Sequence, residues 1–155
     1  MKTKGTFIRL SAVLGILLNC IMNANANNVN ITGTSVSGSN ITFNISWDNS
    51  WNANVAPNNW DAIWVFIKYQ DCSTRLWSHA GLSTVSGDHS AASPLMVDAV
   101  SDGKGVFIRR SSLGGGNIGS TSITLKMTIP AGTYNYKVYG VEMVNVPQGN
   151  FEVGD

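Results

Sequence analysis

Regular alternation of apolar and polar side chains is the feature that most constrains how this chain can fold. The first run covers residues 41–47, where the apolar positions are Ile41, Phe43, Ile45 and Trp47. The same period of two returns over residues 123–129 and again over 134–138. Because side chains along a β-strand point alternately to opposite faces, each run predicts a strand with one buried face.

Turn signals and one doubly apolar segment extend this interpretation to the whole domain. Residues 37–40 predict a hairpin turn, and residues 130–132 predict a turn between two later strands. Residues 62–67 are apolar on both faces, which predicts a central strand covered on both sides. We therefore expect residues 27–140 to form an all-β, antiparallel β-sandwich, either immunoglobulin- or fibronectin-like or jelly-roll-like.

Residues 1–26 carry the pattern of an export signal. Basic residues precede a short apolar run over positions 10–22, and positions 24–26 read Ala-Asn-Ala, a small-x-small cleavage site. We predict a signal-peptide helix that is cleaved after Ala26, so that the mature protein is periplasmic, on the outer surface or secreted. A retained N-terminal anchor and a lipidated Cys20 are the alternatives.

The charge balance excludes some classes of partner. The sequence has 10 Lys and Arg against 9 Asp and Glu, and three of the basic residues would leave with the signal peptide. Without a basic patch, neither a nucleic acid nor an anionic membrane surface is predicted as a partner. No transmembrane span is predicted after cleavage, and Cys72 would be left without a second cysteine for an internal disulfide.

The last stretch, residues 141–155, carries a recognisable motif. It reads Glu142-Met143-Val144-x-Val146-Pro147-x-Gly149-x-Phe151-x-x-Gly154. This stretch resembles the opening of the formylglycine-generating enzyme (sulfatase-modifying factor) family. Segments 59–69, 77–82 and 102–108 resemble a β-rich domain that precedes this module in some exported bacterial members. The resemblance implies that residues 141–155 begin a truncated enzyme-like domain.

The chemistry of that family does not transfer to any residue of this chain. The resemblance implies an oxidation of a sulfatase cysteine to formylglycine, with copper held by two cysteines and molecular oxygen. Those cysteines lie far downstream of the opening motif, and Cys72 matches no position of the family. We therefore predict no catalytic residue, no cofactor and no metal ligand here, and the activity of the parent protein stays open.

Other candidate sites can be named from residue types alone. Trp51 in its predicted loop and Trp77 are candidates for stacking on sugar rings, whereas Trp47, Trp64 and Trp60 are assigned to the core. Cys72 and His79 could form a nucleophile and base, but no third orienting group is evident. His79, Asp88, His89 and Asp98 lack the paired spacing of a zinc site, and residues 114–116, three glycines, favour a flexible hairpin loop over a phosphate cradle.

Three functional hypotheses follow. The first is a non-catalytic, accessory partner-docking β-sandwich module of an exported protein of the formylglycine-generating enzyme-like type. Its partner would be the missing C-terminal domain or an envelope protein. The alternative is a free-standing carbohydrate-binding or adhesion module, and an enzyme acting through Cys72 is a third, weaker interpretation.

Overall fold

The computed structural model describes residues 27–56 and 58–148. The predicted signal peptide lies outside this part of the chain, as do Gly149, Phe151 and Gly154 of the C-terminal motif. Within the described residues, no helix is long and apolar enough to cross a membrane.

The described residues form nine antiparallel strands and one short 3-10 turn, so the all-β prediction is confirmed. The strands are β1 Asn30–Ser37, β2 Asn40–Asn52, β3 Trp60–Asp71, β4 Trp77–His79, β5 Ser90–Ala91, β6 Leu95–Ala99, β7 Val106–Arg110, β8 Gly114–Lys126 and β9 Tyr134–Asn145. The 3-10 turn is Ser86–Asp88. The predicted hairpin turn at 37–40 lies between β1 and β2, where Ser37 is opposite Asn40.

The strands form two layers joined at one corner. In the first layer β2 lies between β1 and β8, and β5 follows β8. In the second layer β3 pairs with β9, β7 and β4, and β6 follows β7. The layers meet where Asn52 of β2 pairs with Trp60 of β3. The sheet therefore folds over on itself as an antiparallel sandwich.

The core fills the space between the two layers and follows the predicted period of two. Each of these apolar side chains is at most 6% exposed: Ile41, Phe43, Ile45 and Trp47 of β2, Ile63, Val65 and Ile67 of β3, Leu95 and Val97 of β6, Val106 and Ile108 of β7, Ile118, Ile123 and Leu125 of β8, and Met127. Full burial of one large apolar side chain contributes about 1.5–3 kcal/mol. These side chains between the two layers are the main source of the stability of the fold.

Strand β3 is central in its hydrogen bonding but is not covered on both faces. It pairs with β9 along its whole length and with β7 and β4 on the opposite edge. Its inner side chains are fully buried, whereas Trp64 and Phe66 on the other face are only partly buried. The expectation that Trp64 belongs to the core was therefore wrong, since no element of residues 27–56 and 58–148 packs as a layer over that face.

Strand β9 runs through the predicted domain boundary at 140/141. It pairs with β3 without a break, from Tyr134 opposite Asp71 to Asn145 opposite Trp60. The first residues of the motif therefore belong to the sandwich, and Glu142 accepts a hydrogen bond from the side chain of Asn27. That an enzyme-like domain begins in this region stays a prediction.

Candidate functional site

The corner that joins the two layers is held by a buried carboxyl group, that of Asp61. Asp61 is fully buried and accepts three hydrogen bonds, from Trp47 Nε1 at 2.5 Å, Ser50 Oγ at 2.9 Å and the Trp51 backbone N–H at 2.8 Å. Arg110 Nε donates to the same Ser50 hydroxyl at 3.1 Å. This network holds the start of β3 against the end of β2, and Trp60 is the residue directly before Asp61.

The outer face of the second layer is unusually aromatic, and we call it the aromatic face. Residues paired across neighbouring strands share one face of a sheet, so the register places these side chains together. Its members are Trp60, Trp64 and Phe66 of β3, Trp77 and His79 of β4, Phe107 of β7, and Tyr139 of β9. All are partly buried or exposed.

The rings of the aromatic face are in direct contact with one another. Phe66 stacks between Tyr139, at 5.1 Å between ring centroids, and His79, at 5.9 Å. Trp64 packs at 4.9 Å against Phe107 in a tilted arrangement. These separations lie in the favourable range for aromatic pairs, so the face is an ordered surface rather than a set of loose side chains.

Trp77 lies at the β4 end of this face. Its side chain is 42% exposed, and the Lys137 ammonium lies 4.9 Å from its ring centroid. The negative face of an aromatic ring attracts a cation that lies over it. The predicted stacking residue is thus exposed, with a positive charge close to its ring.

A cleft of about 200 Å³ opens at the other end of the aromatic face, and we call it the Trp60 cleft. Its principal lining residues are Trp60, Ala62, Asp98, Phe107, Arg109 and Met143, and the end of β9 closes it. Ala62 lies beside Met143 on one side and Arg109 on the other. The small alanine between larger neighbours leaves the concave space.

The charges of the Trp60 cleft are paired. Arg109 Nε lies 2.6 Å from Asp98 Oδ2, and the guanidinium lies 5.5 Å from the centre of the Trp60 ring. Arg109 Nη1 also donates to the Arg110 carbonyl at 3.3 Å. The ion pair therefore offers hydrogen-bonding atoms to the cleft with little net charge.

The outer edge of β9 is the second feature of this side of the molecule. Within the described residues β9 forms a ladder only with β3. Among these residues no strand is hydrogen-bonded to its other edge, which the side chains of Val29 and Ile31 approach near Gly140. Val141, Met143 and Val144 near its end are 48%, 45% and 46% exposed. An open strand edge that carries exposed apolar side chains is a template for pairing with another strand.

The other predicted stacking residue, Trp51, lies elsewhere. It belongs to β2 rather than to a loop, is partly buried, and donates from Nε1 to Asn59 Oδ1 at 3.2 Å. A register shift between Trp47 and Ser50, with Asn49 at φ 55°, turns Ser50 inward and Trp51 outward. Trp51 and Trp77 are therefore in different layers of the sheet and do not form one surface.

The Cys72 and His79 pair is not assembled. Cys72 is exposed in the turn after β3, and its backbone N–H donates to Thr133. The His79 ring nitrogen Nε2 lies 2.5 Å from the Lys104 carbonyl instead. Neither group positions the other for nucleophilic chemistry.

The Asp88 and His89 segment has structural partners. His89 is buried, with Nδ1 accepting from the Lys126 backbone N–H at 3.1 Å and Nε2 at 2.9 Å from the Ser83 carbonyl. The pKa of Asp88 lies below its usual value of 3.8. The main cause is the hydrogen bond that the Ser83 hydroxyl donates to it at 2.5 Å, and the second is the hydrogen bond from Lys126. Among the described residues, no group of three His, Cys, Asp or Glu could hold a metal ion.

The three glycines at 114–116 belong to a strand, so the expectation of a flexible loop was wrong. They begin β8 and pair with Ser50, Trp51 and Asn52 at the end of β2. The Gly116 carbonyl accepts from Arg110 Nη2 at 2.6 Å. Tertiary pairing thus holds a segment whose composition alone favours a loop.

The sequence interpretation missed the Trp60 cleft, although one signal for it is present. The outward positions of β3 read Trp60, Ala62, Trp64 and Phe66, so that one small residue interrupts an aromatic row.

No family model, no curated protein and no solved structure matches the chain. Any function must therefore be argued from this geometry, and the resemblance of residues 141–155 to an enzyme family stays a prediction.

Proposed function

We propose that this chain is a non-catalytic docking module of an exported protein of the formylglycine-generating enzyme-like type. The observation that supports this proposal best is the open edge of β9, with its row of exposed apolar side chains. Its partner on that edge is the domain that the motif at 141–155 introduces.

The energetics of the β9 edge favour a partner. An unpaired strand edge presents free backbone N–H and C=O groups, and native proteins usually blunt such edges with charges, prolines or short strands. Over residues 141–145 β9 has only Glu142 as a charge and no proline. Pairing of a further strand would satisfy these backbone groups and cover Val141 and Met143, which is the arrangement of β-strand addition.

The position of the motif supports the identity of the partner. Its first residues, Glu142 to Val144, lie in β9, and residues 146–148 leave directly from the end of that strand. A domain that begins here would start within a few residues of the open edge and of the Trp60 cleft. Such a short connection would fix the orientation of the two domains.

The test starts with the DNA downstream of the codon for Asp155. If an enzyme-like domain follows in frame, hydrogen exchange is measured on the longer protein and on the present chain. Amides of β9 that point away from β3 should exchange more slowly in the longer protein. Those of β6, which ends the second layer on the side away from β9, serve as the control and should not change.

Two results would contradict the proposal. The first is a reading frame that continues into sequence without the enzyme-like motif. The second is equal exchange of the β9 amides in both proteins, which would mean that the following domain leaves this edge open.

A carbohydrate-binding or adhesion module is the second candidate, because Trp77 presents an exposed ring at one end of an ordered aromatic face. Stacking on a sugar ring needs such a face. A glycan array with the unaltered protein, Trp77→Ala and Trp51→Ala tests it. Failure of the unaltered protein to bind any glycan would exclude this function.

A further inference from the structure

The shape of the Trp60 cleft has a simple origin in the sequence. Outward positions of β3 carry Trp60, Ala62 and Trp64, and only the middle one is small. Ala62 is 4% exposed and forms the floor, while Trp60, Phe107 and Met143 are among the larger side chains of the walls. The volume of about 200 Å³ is smaller than that of the pockets of about 300–1,000 Å³ that hold drug-sized ligands, so the cleft has room for a ligand of about one sugar ring.

The walls combine an aromatic surface with hydrogen-bonding groups. Trp60 and Phe107 supply apolar surface, and the ion pair of Asp98 and Arg109, 2.6 Å apart, lies beside them with the guanidinium 5.5 Å from the centre of the Trp60 ring. That pair uses Arg109 Nε and one oxygen of Asp98, and Arg109 Nη1 donates to the Arg110 carbonyl. The guanidinium has five N–H groups and the carboxylate has two oxygens, so donors and acceptors remain at adjacent positions.

This combination selects among ligand classes. A phosphate or carboxylate would compete with Asp98 for Arg109, because the guanidinium is already paired with a carboxylate. Adjacent hydroxyl groups of a sugar each donate and accept, which matches the neighbouring acceptor and donor of the ion pair. The C–H face of the same ring matches the apolar surface that Trp60 and Phe107 leave exposed beside the guanidinium.

We infer that the Trp60 cleft binds a single neutral pyranose unit, with the ring against Trp60 and adjacent hydroxyls on Asp98 and Arg109. This inference extends the second proposed function by naming the site and the chemical class of the ligand. It moves the stacking residue from Trp51 and Trp77 to Trp60.

The experiment titrates the full chain with methyl glycosides of glucose, galactose, mannose, N-acetylglucosamine and xylose, and with glucuronic acid as the charged comparison. Binding is followed by NMR, because the 5 Trp residues supply indole N–H signals as reporters. A neutral glycoside should shift the Trp60 indole signal, and glucuronic acid should bind at least about tenfold more weakly.

Two substitutions in the cleft are compared with a control outside it and with Trp77→Ala at the other end of the aromatic face. Ala62→Leu should abolish binding, because it fills the floor of the cleft with an outward side chain. Trp60→Ala should weaken binding by about tenfold, the equivalent of one stacking contact with its buried area. Ala131→Leu, at an exposed turn position outside the cleft, is the matched control and should bind as the unaltered protein does.

The outcomes distinguish this site from the wider function. If Trp77→Ala abolishes binding while Ala62→Leu retains it, the protein binds sugar but the inferred site is wrong. If none of the glycosides shifts an indole signal while the glycan array shows binding, the inferred site is wrong and the carbohydrate-binding function stands, whereas no binding in either experiment removes both. A thermal melt of Ala62→Leu equal to that of the unaltered protein shows that its loss of binding comes from the filled cleft.

Discussion

Replacement of Asp61 by alanine removes the acceptor on which the corner between the two layers depends. Three donors lose their partner: Trp47 Nε1, Ser50 Oγ and the Trp51 backbone N–H. Trp51 is only partly buried, so water can reach its N–H. The indole N–H of Trp47 and the Ser50 hydroxyl do not have this remedy, since each residue is 1% exposed.

The magnitude follows from the number of donors that stay unsatisfied. Each buried polar group left without a partner costs about 1–3 kcal/mol, so the two groups on Trp47 and Ser50 give a loss of about 2–6 kcal/mol for Asp61→Ala. A domain of this size has a free energy of unfolding of about 5–15 kcal/mol. The substitution should therefore lower the stability severely, and at the upper end prevent folding.

Asp61→Asn is the graded comparison that keeps the shape. An amide offers one oxygen where the carboxylate offers two, so its NH₂ group must face either Trp47 Nε1 or the Trp51 N–H. In the first orientation the Trp47 N–H loses its acceptor and meets another donor, and in the second the Trp51 N–H and the Ser50 hydroxyl both lose theirs. We expect a loss of about 1–3 kcal/mol, less than for alanine.

Urea unfolding followed by tryptophan fluorescence measures both variants. The midpoint should fall in the order unaltered protein, Asp61→Asn, Asp61→Ala, with the slope of the transition unchanged. Ser83→Ala, at a buried polar position remote from this corner, controls for the general loss of a hydrogen bond. A decrease of less than about 1 kcal/mol for Asp61→Ala would refute the argument that the donors depend on this carboxyl group.

Three further predictions concern other parts of the molecule. Gly105→Ala should destabilise the fold by about 1–3 kcal/mol, because the added Cβ would meet the indole of Trp64 and lie 2.7 Å from the Val65 carbonyl. The displaced indole should also change the near-ultraviolet circular dichroism. An unchanged spectrum and an unchanged stability would contradict this prediction. The lowered pKa of Asp88 contributes stability that is present above its usual value of 3.8 and is lost as the pH falls through the folded-state pKa. Asp88→Asn should thus be less stable than the unaltered protein at neutral pH, and the difference in unfolding midpoint should shrink below pH 3.8; a constant difference would show that the carboxylate does not act through its charge. The chain should associate at high concentration in analytical ultracentrifugation, and Val141→Lys on the exposed edge should weaken that association, whereas a monomer at all concentrations would be evidence against an association-prone β9 edge.

The strands and their inner faces could be predicted from the sequence because their signal is local. Alternation over 41–47 and 123–129 places one set of side chains on one face whatever the strand pairs with, and those side chains are the core of β2 and β8. The turn between β1 and β2 was equally local. For such elements, the residues that decide the structure are neighbours in the chain.

The outer aromatic face could not be predicted in the same way. A segment apolar on both faces is compatible with a second covering layer, and nothing in residues 62–67 says whether that layer exists. The sequence predicts a loop at Trp51, because the register shift around Asn49 breaks the period of two. Only the pairing with β8 shows that Trp51 belongs to a strand.

The amino-acid sequence by itself determined the all-β class, the antiparallel strands and most of the core, because alternation is a property of contiguous residues. The tertiary structure alone decided the buried acceptor at Asp61, the open edge of β9 and the cleft over Ala62. Each of these depends on side chains far apart in the chain: Ala62 becomes the floor of a cleft only when pairing brings Met143 and Arg109 to its two sides. Cross-strand register is set by the summed packing of both layers, so no single segment encodes it.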